Sequence, residues 1–220
     1  MDSKIKIGII RVLTLKDKYA LENHARIIDE DGKFGESIEF VSRCIKDQPF
    51  GIHDDETLNT AVPKIVELAK QMEKENSDGI VISCCADPGL KEVEKEVKIP
   101  VISAGRECSE KALKLGKKII AIGITAEATE HLKELLGNNL FDYYNPENIN
   151  STLDLNSKRG RKSVVDSAKK AYRCGSDCIM ICCTGMSNIK IAEEIRSSVD
   201  IKVADPLEAI ASKIKKVYDL

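Results

Sequence analysis

Ser77-Asp78-Gly79-Ile80-Val81-Ile82-Ser83-Cys84-Cys85-Ala86-Asp87-Pro88-Gly89 decides the fold, because the chain says nearly the same thing twice. The second version is Ser176-Asp177-Cys178-Ile179-Met180-Ile181-Cys182-Cys183-Thr184-Gly185-Met186. Each opens with Ser-Asp, continues as a short apolar run, and ends in a Cys-Cys pair before small and turn-forming residues. An apolar run of that length between helical patterns reads as a strand buried on both faces of a parallel sheet. Loops just beyond the carboxyl ends of such strands are where open α/β sheets bind ligands. The chain therefore places a thiol at the ligand-binding edge of each of two similar sheets.

The repeat extends outward from these strands. Lys4 to Leu13 reads as a β-branched first strand ending at Thr14, and Lys117 to Thr125 repeats it with its preceding lysines and following threonine. Helical patterns follow over 17–28 and 127–136, and Ile38 to Ile45 reads as the second strand. A helix opened by Asp54-Asp55-Glu56 runs to about Glu75, and Pro63 within it predicts a start or a kink there. Asp87-Pro88 reads as an N-cap with proline at the first helical position. Ile99 to Ala104 and Ile201 to Ala204 are matching strands before helices that begin near Glu107 and Pro206. Asp205 and Glu208 stand at capping-box spacing. The polar segment 145–161 reads as a loop or lid, with helices over 162–173 and 188–197 after it.

These patterns predict an α/β protein of two similar lobes, each a mostly parallel sheet flanked by helices. The lobes are related by internal duplication, with the active site in the cleft between them. The expected boundaries are 1–103 for the first lobe and 104–205 for the second, the last helix (206–220) packing back on the first.

Composition narrows the function. Of 220 residues, 42% are hydrophobic and 32% charged, enough for a core. Net charge is −2 with acids and bases intermixed, and aromatics are 4% with no tryptophan, which argues against nucleic-acid surfaces and base-stacking platforms. No secretory signal is expected, because Met1-Asp2-Ser3-Lys4 leads directly into a strand-like run, and no apolar stretch approaches the ~18 residues of a membrane helix. Eight cysteines in such a chain belong to a reducing compartment, and a cytoplasmic location is expected.

Cys84 and Cys183 each stand six residues after their aspartates, Asp78 and Asp177. Two thiols facing one bound molecule have the geometry to invert a carbon acid. One thiolate removes a proton from one face while the opposite thiol delivers another. Cysteine suits both roles because neighbours and amide donors readily move its pKa. With each sulfur in near-attack range, the pair stands on the order of 6–7 Å apart, too far for a disulfide. Free cysteine is also a common apolar filler; that is the expectation for Cys44, Cys108, Cys174 and Cys178, and core packing is favoured for Cys85 and Cys182. A metal at Cys174, Cys178, Cys182 and Cys183 competes, but the spacing is not that of a zinc knuckle. His24, His53 and His131 are expected on the surface. Softer candidates for substrate binding are Thr14, Thr125 and Thr184 at strand ends, and Arg11 as a carboxylate anchor or half of an ion pair. Cys85, Asp87 and Gly185 join them from the thiol loops, with backbone N–H groups beyond each thiol for developing enolate charge.

Ile82-Ser83-Cys84-Cys85-Ala86-Asp87-Pro88-Gly89-Leu90 and Cys183-Thr184-Gly185-Met186 are similar to the two cysteine loops of the aspartate/glutamate/hydantoin racemase superfamily. The resemblance is nearest its hydantoin racemase branch, and Pro49, Gly51-Ile52, Asp55-Glu56 and Ala61-Val62-Pro63 follow that pattern too. The resemblance implies a cofactor-independent racemase or epimerase in which Cys84 and Cys183 are the acid/base pair. Neither pyridoxal phosphate nor metal is expected, and the expected partners are a small-molecule substrate and further copies of the chain. The chain departs from glutamate racemases, which carry an acid in the first-strand loop and a histidine after the second cysteine. It also departs from the Asn-Pro-Asn-Thr-like first loop of hydantoin racemases, having Arg11-Val12-Leu13-Thr14 instead. With fewer helpers for a weakly acidic Cα–H, an activated substrate such as a 5-substituted hydantoin is favoured over a free amino acid. An aspartate/glutamate racemase, a decarboxylase or cis–trans isomerase on the same scaffold, and a non-catalytic binding descendant remain the alternatives.

Overall fold

A computed structural model describes residues 4–52, 54–149, 152 and 154–220. The chain divides into two compact units. Residues up to Ala104 with Ile210–Leu220 form the first, and Gly105–Ala209 the second.

The first unit carries β1 (Ile5–Arg11), β2 (Ile38–Cys44), β3 (Gly79–Ile82) and β4 (Val101–Ser103), all parallel, in the order β2-β1-β3-β4. The second carries β5 (Ile119–Ile122), β6 (Leu140–Tyr144), β7 (Cys178–Ile181) and β8 (Lys202–Ala204), parallel in the order β6-β5-β7-β8. Register repeats with topology: Ile7 pairs with Gly79 and Ile10 with Ile82, as Ile119 pairs with Cys178 and Ile122 with Ile181.

The Ser-Asp opening of both thiol stretches has a local cause. The Asp78 carboxylate accepts the Lys6 N–H at 2.7 Å, and Asp177 accepts those of Lys117 and Lys118 at 3.0 and 2.9 Å. Each aspartate's own N–H returns to the lysine carbonyl, Lys6 or Lys118. The pair thus sets the register of the central strands at their amino ends, and burial does the rest. All four residues of β3, β5 and β7 are buried. In β7, Ile179 and Ile181 enter one apolar cluster while Cys178 and Met180 enter another on the opposite face. That period-2 split is the mark of a sheet covered on both sides.

Helices α1 (Lys18–Gly32), α2 (Asp55–Lys74) and α3 (Leu90–Glu96) belong to the first unit. α4 (Ala104–Leu115) starts at the boundary, and α5 (Glu130–Leu136), α6 (Lys158–Arg173), α7 (Thr184–Asn188) and α8 (Ile191–Ser198) follow in the second. α9 (Pro206–Tyr218) begins in the second unit, and its residues from Ile210 count with the first, where the Tyr218 hydroxyl donates to Asp78 O at 2.8 Å.

Several expectations are corrected. Asp87 caps no helix: α3 begins at Leu90 after a left-handed Gly89, so Pro88 lies in the loop. α2 begins where Asp54-Asp55-Glu56 predicts, under a capping box made by Asp54 and Thr57, and passes through Pro63 instead of starting there. α4 and α6 start before the expected residues, the latter because Ser157 accepts the Gly160 N–H and closes a turn inside the supposed loop. α5 starts later, at a Thr129 cap. Of segment 145–161, residues 150, 151 and 153 lie outside the described residues, as does His53. Among the described residues no helix is long and apolar enough to cross a membrane.

Candidate active site

In each sheet the chain leaves the second-placed strand toward one edge and later returns past it toward the other. That puts a topological switch point at the carboxyl ends of β1 and β3, and again at those of β5 and β7. Cys84 and Cys183 each stand two residues beyond β3 or β7, at those points. The residues before them end the ladder alike, Ser83 N–H donating to Ile10 O at 3.1 Å and Cys182 N–H to Ile122 O at 2.8 Å.

In the first unit Cys84 is half-buried at the margin of the apolar cluster that includes Val12, Ile45, Ile82 and Leu90. The loop after it folds tightly, with Asp87 N–H donating to Cys84 O at 3.1 Å and Leu90 N–H to Asp87 O at 3.2 Å. Asp87 is left-handed and buried, and its carboxylate accepts the Ser103 hydroxyl from the end of β4. Against Ser83, the residue before Cys84, His24 is buried rather than solvated, correcting the surface expectation. Its Nδ1 lies 2.7 Å from Ser83 Oγ. Burial, and then the nearby Arg11 cation, hold its pKa well below the ordinary value, so the imidazole is neutral.

Arg11 is no anchor at the rim. It is buried, and its Nη1 donates to the Ala20 and Leu21 carbonyls at 2.8 and 3.0 Å, which ties β1 to the start of α1. Burial lowers its pKa to about 10, against a smaller opposing pull from Cys44. Thr14 is likewise engaged: its hydroxyl donates to Ile45 O and accepts the Gln48 N–H, both at 2.9 Å. With its one proton used, it holds the loop after β2 instead of a substrate carbonyl.

In the second unit Cys183 is buried and directly precedes α7, an element that the sequence pattern does not separate from α8. Burial raises its pKa, while the N–H groups of Gly185 and Met186 act on the sulfur in the opposite sense. Glycine at 185 permits that approach. A Cβ there would stand 2.7 Å from Thr152 Cγ2 and 3.4 Å from the sulfur. Thr184 and Gly185 thus open the helical turn that wraps the thiol. Thr125 is engaged within its own loop, where its hydroxyl donates to Glu127 O at 2.8 Å and lies 2.7 Å from the Tyr143 hydroxyl. Tyr143, which no sequence signal singles out, donates to Thr125 O at 3.2 Å and fills the space that Gly123 leaves at the end of β5. Burial pushes its phenol up to about 12, and Cys182 and Cys183 act on it in the same direction.

The other cysteines divide. Cys108 and Cys178 are buried as expected, and Cys44 is half-buried, accepting the Leu15 N–H at 3.3 Å. Cys85 and Cys182 are half-buried beside the candidate thiols. Cys174 departs from expectation: it is exposed, where α6 ends, and its sulfur accepts the Tyr144 hydroxyl. Among the described residues no three His, Cys, Asp or Glu side chains are grouped to hold a metal ion. Asp205, at the end of β8, is more than the helix cap that its spacing predicts. It does cap α9 through the Leu207 and Glu208 N–H groups, but it is also buried beside Ser187, and burial pushes its pKa up to about 6. The Glu208 carboxylate binds Lys111 and Arg196.

Comparison with known proteins adds two findings. Residues 30–214 match the family model described as Asp/Glu/Hydantoin racemase. Among solved structures the chain is similar to an allantoin racemase from Klebsiella pneumoniae, with a TM-score of 0.76 at 18% identity over 98% of this chain and 88% of that one. It is similar to an aspartate racemase homologue from Pyrococcus horikoshii, with a TM-score of 0.67 at 17% identity over 98% and 100%. A glutamate racemase from Aquifex pyrophilus gives a TM-score of 0.63 at 21% identity over 96% and 83%.

Proposed function

Because the chain belongs to the Asp/Glu/hydantoin racemase family, we propose that it racemises a small carbon acid through Cys84 and Cys183, without a cofactor. The observation that carries this is the equivalence of the two thiols, each two residues past the central strand at the switch point of its own sheet. One thiolate takes the proton from the stereogenic carbon, leaving a carbanion delocalised into the adjacent carbonyl as an enolate. The other thiol gives its proton to the opposite face and is left as the thiolate, so the next turnover runs in the reverse sense. Cys183 is the acid for the enantiomer whose proton faces Cys84, and burial, which raises its pKa, favours the protonated form that this role needs.

The remaining residues support the loops. Asp87 and Ser103 hold the turn after Cys84, and the amides at Gly185 and Met186 steady the sulfur of Cys183. Arg11, Thr14 and Thr125 fix the strand ends around them. Cys85 and Thr184 follow the two proposed catalytic sulfurs directly in the chain, and that adjacency supports them as substrate-binding residues.

The substrate class we favour is a 5-substituted hydantoin, whose ring acidifies the reacting C–H, ahead of a free amino acid. Allantoin, named for one of the structural neighbours, is itself a hydantoin substituted at carbon 5. A panel of single-enantiomer hydantoins and amino acids incubated in heavy water tests this. Loss of optical rotation with deuterium at the stereogenic carbon is expected for hydantoins; no exchange with any member of the panel would contradict it.

A further inference from the structure

The loop after β2 is built with more care than a connection needs. Gln48 is buried at its centre, and its side-chain amide donates to Gly51 O at 3.1 Å and Thr57 O at 3.0 Å. Its backbone N–H and C=O bond the Thr14 hydroxyl and N–H, both at 2.9 Å, while Gly51 N–H closes a turn onto Gln48 O at 3.2 Å. Lys64 Nζ adds a bond to Asp47 O at 3.0 Å. Asp47 and Gly51, which bracket the turn, are both left-handed. What this braced turn presents is Phe50, which is 85% exposed. A phenyl ring held in water forgoes the burial free energy available to it, and nothing in the turn's own hydrogen bonding requires a phenylalanine there.

The ring's place gives it a use. The turn lies at the carboxyl end of the sheet, joined through Thr14 to the segment leaving β1. Ile52, just after it, and Cys84 both pack at the margin of the same apolar cluster, which includes Val12 and Ile45. An apolar side chain on a braced turn at the sheet edge that carries the proposed catalytic thiol is suited to contacting the part of a substrate that does not react. We propose that Phe50 is a specificity-determining residue that packs on the substituent of the substrate and selects apolar substituents over charged or strongly polar ones. This rests on the proposed racemase reading and narrows it to hydantoins bearing an apolar group at carbon 5.

Phe50→Ala and Phe50→Leu test this, since an exposed side chain can be changed with little effect on folding. Racemisation of 5-benzylhydantoin and of allantoin is measured for the wild type and both variants. Phe50→Ala is expected to lower kcat/KM for 5-benzylhydantoin about tenfold and for allantoin less than twofold, with Phe50→Leu keeping most of the preference. Equal losses on both substrates, or no loss on either, would overturn the assignment. So would a fall in light-scattering mass for Phe50→Ala, which would give the ring to a second copy of the chain. Equilibrium binding of 5-benzylhydantoin separates this failure from that of the racemase reading. Binding weakened by Phe50→Ala without wild-type turnover of any hydantoin keeps Phe50 and overturns the racemase; binding that is absent or indifferent to the substitution overturns Phe50.

Discussion

The two units share a backbone plan and differ in what fills it. At the carboxyl end of β1 stands Arg11, buried and bonded to the carbonyls that begin α1. Gly123, the residue after β5, occupies the matching place, and the Tyr143 phenol from the neighbouring strand fills the gap. The acid and the hydroxyl beside the thiol loops are exchanged as well. In the first unit the loop supplies an acid, Asp87, and the strand end a hydroxyl, Ser103. In the second, α7 supplies the hydroxyl, Ser187, and the strand end the acid, Asp205, although Ser187 makes no well-aligned hydrogen bond there. Strand order and the register of the central pairs, β1 with β3 and β5 with β7, have been kept, while the polar chemistry around each sulfur has diverged. The repeated backbone plan therefore carries its two thiols in unlike surroundings, Cys84 half-buried and Cys183 buried.

Breaking the glycine side of this comparison should cost most. A Cβ on Gly123 would fall 2.2 Å from the Tyr143 hydroxyl, so Gly123→Ala is expected to lose about 2–3 kcal/mol in denaturant unfolding, by overpacking. Adding Tyr143→Phe should recover part of that loss, and failure to do so would place the strain elsewhere.

The exchanged acid gives the next effect. Asp205 has its pKa raised from 3.8 to about 6, chiefly by burial. The folded state therefore holds its proton more tightly than the unfolded chain does. The resulting stability is fully present below about pH 4 and is lost as pH rises through about 6. Asp205→Asn keeps an oxygen for the Leu207 and Glu208 N–H groups. It should match the wild type near pH 4 and exceed it at pH 8 by on the order of 2 kcal/mol. An unchanged pH dependence would contradict this placing of the charge.

The smallest effect sharpens the likeness of the units. α3 and α8 each follow a left-handed residue, but one is Gly89 and the other Lys190. Lys190→Gly should be neutral to stabilising by about 0.5–1 kcal/mol. Gly89→Lys should destabilise, since a Cβ there also meets Val62 Cγ1 at 3.3 Å.

What is legible in the sequence is the part governed by local pattern. The repeated Ser-Asp and the unbroken apolar runs identify β3 and β7 as central buried strands, and their cysteines mark the sheet edge. What is not legible depends on partners distant in the chain. His24 reads as a polar residue on a helix, and only the return of β3 sets Ser83 against it, 59 positions later. Gly123 looks like an ordinary strand-end glycine until Tyr143 is seen beside it. Asp87-Pro88 carries a sound helix-start signal that the loop overrides, because the Asp87 carboxylate is engaged by Ser103 on the next strand.

The central claim is that Cys84 and Cys183 serve opposite faces of one carbon. Its most direct test follows each enantiomer of one racemised hydantoin separately in heavy water, with Cys84→Ser and with Cys183→Ser. Each variant should lose racemisation by at least about a thousandfold. Each should still exchange the proton of one enantiomer only, and the two variants should spare opposite enantiomers. Racemisation surviving in the double variant, or both single variants sparing the same enantiomer, would contradict the account.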